Sequence, residues 1–160
     1  MSDETTIIGN NQGEEVILKQ HRRWTHLLEK RKTVGQGSLI LTDRRLLFLH
    51  RIEDSPDVQS SIKKLANAPM GEVLDHALTL NRKSFQMQLS AILQVQVGMF
   101  AGFPLPHFYL WVSYLKGKNN IVHEVSFQFT TIQHGVLFEP QLFTDLSWKQ
   151  AIQNAVKQSK

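Results

Sequence analysis

The chain has 160 residues, 41% of them apolar and 20% charged, with no cysteine and a formal net charge of +4. This length fits one domain and is enough to bury a proper core. The absence of cysteine excludes disulfides and thiolate metal sites, and no apolar run approaches the length of about 20 residues that a membrane-crossing helix needs.

Residues 1–13 are polar and read as a flexible N-terminal segment, with Asn10-Asn11-Gln12-Gly13 as a stop signal ahead of a single domain over 14–160. Its opening residues lack the basic-then-apolar order of a secretory leader. From Glu14 to Lys32 two periods compete. Val16 and Leu18 alternate as in a strand, whereas Trp24, Leu27 and Leu28 recur at helical spacing. Gly35-x-Gly37 reads as a turn, because it precedes a strand and lacks the helix start that would hold phosphate.

The most informative stretch follows. Leu39 and Leu41 lie on one side of the polar residues Thr42 to Arg45, and Leu46, Leu47, Phe48 and Leu49 lie on the other. Strand alternation predicts a half-buried β-hairpin. Asp43 has the short carboxylate that can accept from a backbone N–H two residues on and hold a tight turn.

Ser55-Pro56 predicts a helix start, with Val58, Ile62 and Leu65 on one face and Pro69 as its stop. A second short helix is predicted over 71–78, with Val73, Leu74 and Ala77 inward. Together they form a helical insertion at about 55–80 between strands. Strand alternation then resumes. Phe85, Met87 and Leu89 share one face, and Leu93, Val95 and Val97 repeat the pattern against Gln94 and Gln96.

Residues 98–106 carry glycines and prolines at intervals that predict an apolar loop. A strand from His107, a turn around Lys116-Gly117-Lys118-Asn119-Asn120 and a returning strand over 121–129 follow. The returning strand should present His123, Val125, Phe127 and Phe129 on one face. Residues 131–140 read as a connection. The last element is a helix from Trp148 to about Val156, with Ser147 and Gln150 as a capping box and Trp148, Ala151, Ile152, Ala155 and Val156 as its buried stripe.

The run Gly37-x-Leu39-x-Leu41-Thr42-Asp43-x-Arg45-Leu46-x-Phe48 resembles the signature of GRAM domains, members of the pleckstrin-homology-like superfold. The later strand residues 85–95 match that family in order and spacing. The resemblance implies a mainly β (α+β) fold: a partly open antiparallel barrel of about seven strands, closed by a C-terminal helix. It also implies a first strand over 15–21, leaves 22–31 as strand or irregular structure, and gives Arg45 a structural role. Proteins of this kind mostly bind lipid headgroups, peptides or other proteins. The expected function is therefore a non-catalytic binding or adaptor module with a protein partner, cytoplasmic or peripheral to a membrane.

Candidate sites are few. Lys30, Arg31 and Lys32 sit where headgroup-binding members of the superfold gather basic residues, so anionic membrane lipid is the alternative ligand. Phe100 and Phe103 of the apolar loop are the candidate partner anchors. No catalytic residue is assigned: the chain has no G-x-S-x-G, no phosphate-binding loop and no HExxH, since His123-Glu124 continues as Val125-Ser126-Phe127. No cofactor or metal is assigned either. His107, His123 and His134 could meet only through the fold, and scattered histidines are the simpler reading. Basic clusters without interleaved aromatic residues give no support to nucleic-acid binding. The sequence sets no oligomeric state.

Overall fold

Thr42, rather than Asp43, closes the central hairpin. In the computed structural model, which describes residues 13–20, 25–29, 32–50, 67–100, 107–129 and 139–160, β3 (Lys32–Thr42) and β4 (Arg45–His50) pair through Leu39 with Phe48 and Leu41 with Leu46. The Thr42 hydroxyl accepts from the backbone N–H of Arg44 at 3.1 Å and of Arg45 at 3.0 Å. Asp43 turns away to the N-terminal segment. There its Oδ1 accepts from Glu15 N at 2.9 Å, while Asp43 N donates to the Glu15 carbonyl.

The expected half-buried hairpin is buried on both faces. Leu39, Leu41, Leu46 and Phe48 enter the main core. Ile40, Leu47 and Leu49 point the other way and are covered by α1 (Met70–Thr79) through Leu74 and Ala77. The second predicted helix of the insertion is thus present, with Val73 only half-buried. Pro69, the expected stop of the first helix, immediately precedes α1. It stands at the N-cap of α1, and its carbonyl accepts from Glu72 and Val73. The first predicted helix, from Ser55, lies outside the described residues, as does nearly all of the 1–13 segment.

The remaining strands are β1 (Val16–Gln20), β2 (Thr25–Glu29), β5 (Phe85–Gln88), β6 (Ile92–Phe100), β7 (His107–Lys116) and β8 (Ile121–Phe129). They form one eight-stranded antiparallel sheet in the order β5-β4-β3-β2-β8-β7-β6, with β1 pairing β3 off that path. Among the described residues the sheet is open, with β5 and β6 as its ends. Eight strands replace the expected seven because the long β3 is shared: β1 pairs its Leu39–Thr42 end and β2 its Lys32–Gln36 end. Sandwiched between β3 and β8, residues 25–29 are a strand despite their helical spacing.

Gly35 and Gly37 lie inside β3 and make no turn. A Cβ on Gly37 would stand 2.3 Å from the Leu49 carbonyl oxygen, so only glycine lets the two backbones come this close.

A 3-10 turn, Leu89–Ala91, carries the chain from β5 to β6. The alternation predicted for β6 slips at its start. Ile92 and Val95 are buried, but Leu93 is 54% exposed, because a bulge between Ile92 and Gln94 adds a residue to this strand. β6 also runs on through Phe100, so residues 98–100 of the expected apolar loop are strand.

The last helix, α2 (Glu139–Gln158), starts well before Trp148. Ser147 is therefore exposed within it and forms no capping box, while Gln150 donates to Asn154 instead. Pro140 fits because a first-turn proline loses no helix bond. The predicted stripe is buried as expected: Trp148, Ile152 and Ala155 lie in the core, with Ala151 and Val156 packed at its margin. The Trp148 ring stacks on Phe129, with centroids 5.7 Å apart. Burying Trp148 and Ile152 contributes about 1.5–3 kcal/mol each.

Candidate binding site

Two regions concentrate polar chemistry, and they differ in how fully it is paired. The first surrounds Arg45, at the start of β4. Its Nε donates to Glu14 Oε1 at 2.8 Å and its Nη2 to Glu14 Oε2 at 2.7 Å, a two-pronged ion pair. The remaining nitrogen donates to Asp75 of α1 and to Gln86 of β5, and Nη2 also reaches the Gly71 carbonyl. Thr42 donates to Glu14 Oε1 at 2.6 Å. Arg45 and Glu14 are both buried, whereas Asp75 is largely exposed. Burial alone would lower the Arg45 pKa, but the bonds to Glu14 and Asp75 more than offset this and hold it raised. Arg45 thus ties the N-terminal segment, β4, β5 and α1 together. It agrees with the structural role that the resemblance implies and offers no free donor to a ligand.

The second region is a groove of about 410 Å³ between α2 and the start of β6. Ile92, Leu93, Gln94, Val95 and Gln96 form one wall, and Lys149, Gln153, Val156 and Lys157 the other. Both titratable side chains in this lining are lysines. Among the described residues β6 pairs only with β7 and ends the sheet, so alternate N–H and C=O groups along it face away from the ladder. Gln94 and Gln96 are exposed beside the half-exposed Leu93. The wall residues Lys149, Gln153 and Lys157 recur every fourth position, next to the buried stripe. That spacing is the signal in the sequence that could have found them.

Asp145 completes the inner face of α2, one turn before Trp148. It is fully buried, and neither carboxylate oxygen has a hydrogen-bond partner among the described residues. Burial raises its pKa to about 7.

Most of the residues singled out from the sequence fall at or beyond the bounds of the described structure. Lys32 opens β3 opposite Glu29, with its backbone alone described, and Lys30 and Arg31 lie outside the described residues. Phe100 ends β6 opposite His107, again as backbone, and Phe103 is outside. His123 packs against the Tyr114 ring, with centroids 5.9 Å apart, and His134 is outside. Among the described residues no three His, Asp or Glu side chains gather as a metal site. Among them, too, no helix is long and apolar enough to cross a membrane. Comparison of the chain with protein-family models, curated proteins and solved structures returns no match.

Proposed function

We propose that this chain is a non-catalytic binding module of the pleckstrin-homology-like, GRAM-like kind, and that it captures an extended segment of a protein partner along β6. The single observation that carries this reading is a strand edge that no described residue pairs, lying beside a groove. An added strand would satisfy the outward N–H and C=O groups of β6, and its alternate side chains would enter the space beside α2. Two further features support it. The described strands form an open antiparallel sheet with a helix at its C-terminal end, an arrangement such a module can use, and the Arg45 cluster spends its polar groups on internal partners.

Selection from a displayed library of random peptides tests this, followed by amide exchange on the best binders. The expected result is added protection confined to 92–100 and the face of α2 around 149–157. Protection elsewhere, or no selected binder, would overturn it.

Anionic lipid is a second reading with one observation in its favour. The Glu29–Lys32 end of β2 and β3 and the turn that carries Lys118 lie at the same end of the sheet, since β2 and β8 run antiparallel with Leu28 opposite Ser126. Co-sedimentation with phosphatidylserine vesicles, lost on charge reversal of Lys30, Arg31 and Lys32, would favour lipid over peptide.

A further inference from the structure

Resting on the β6-edge reading, we infer that the segment captured there is acidic, with two anionic side chains four residues apart. The groove lining supplies the argument. Lys149 and Lys157 flank it, no acidic residue among the described residues lines it, and the residues between the two lysines are neutral.

The two lysines are eight residues apart on α2, a little over two turns of the helix, so they stand about 12 Å apart along its axis at 1.5 Å per residue. An extended strand covers about 13 Å in four residues at 3.3–3.4 Å each, and residues four apart point to the same face. A strand laid on β6 can therefore present side chains k and k+4 to the two lysines, with k+2 facing Gln153. Acids three apart would point to opposite faces, and only one could meet a lysine.

The same lysines argue against a second copy of this chain as the occupant. Edge-to-edge pairing of β6 with itself would bring two like-charged walls together and leave both without counter-charge.

Short fluorescent peptides rich in β-branched residues provide the test, read by anisotropy with the full chain. Four pools differ only at two positions: glutamate four apart, glutamate three apart, phosphoserine four apart and glutamine four apart. The four-apart glutamate pool should bind roughly three- to tenfold more tightly than the glutamine pool, as expected for two partly exposed ion pairs, and the gain should shrink with added salt. Lys149→Gln with Lys157→Gln should erase that gain while the chain melts as the parent does. Preference for phosphoserine over glutamate would assign the anion to phosphate and keep the inference.

Equal binding of all pools, with β6 amides still protected, would overturn the acidic inference and leave the edge reading standing. Binding of no pool, or a dimer through β6 in sedimentation, would overturn both.

Discussion

The Arg45 cluster and the β6 groove are the two polar regions of the same sheet, and they treat hydrogen-bonding capacity in opposite ways. Around Arg45, each guanidinium nitrogen has a partner and Glu14 is closed off from water. Along β6, backbone groups and two lysines face an open groove. A paired, buried charge holds elements together, because losing either partner strands the other. An unpaired edge contributes little to holding the fold and is free to take up something else. Function is therefore sought at the second region, although the first carries the more conspicuous side chains.

The sharpest way to break this contrast is at Arg45. Arg45→Met leaves Glu14 buried without its counter-charge and should cost about 3–5 kcal/mol in urea unfolding. Adding Glu14→Leu should recover much of that loss. A single variant as stable as the parent would show that the cluster holds nothing.

Asp145 comes next. Its folded pKa of about 7 lies above the ordinary value of 3.8, so the folded state holds its proton more tightly than the unfolded chain does. Stability from this group is greatest below pH 4, falls as pH rises towards 7 and is flat above, with a ceiling of roughly 4 kcal/mol. Asp145→Leu should flatten that slope and raise the melting temperature at pH 7.5. An unchanged slope would place the carboxyl in contact with water or a cation.

The smallest effect is expected at Gly37. Gly37→Ala sets a methyl 2.3 Å from the Leu49 carbonyl oxygen, and the β3–β4 pair must part slightly. The expected loss is about 1–3 kcal/mol, read from the midpoint of thermal unfolding.

Much of the sheet was legible because its cues are local. The apolar alternation around Thr42 marks the hairpin, and the Trp148–Ile152–Ala155 spacing marks the inner stripe of α2. What escaped depends on partners distant in sequence. Arg45 meets Glu14 from 31 residues away, so neither residue announces the other. The second buried face of β4 needs α1, and no pattern within β4 says that α1 will lie there. Leu93 looked inward until one extra residue in β6 shifted the register. Ser147 looked like a cap because a serine before an amphipathic run has the same chemistry whether a helix starts there or passes through. The lysine stripe of α2 could be read, but not the sheet edge it borders.

The pairing of β2 with β8 carries a consequence for assembly. Thr25 aligns with Phe129, about a hundred residues further along, so the pairing of β2 cannot be completed until β8 has been made. During synthesis β2 therefore waits with one side unpaired. The nascent chain passes through an interval in which a chaperone, or a neighbouring nascent chain, can reach a surface that the finished molecule hides.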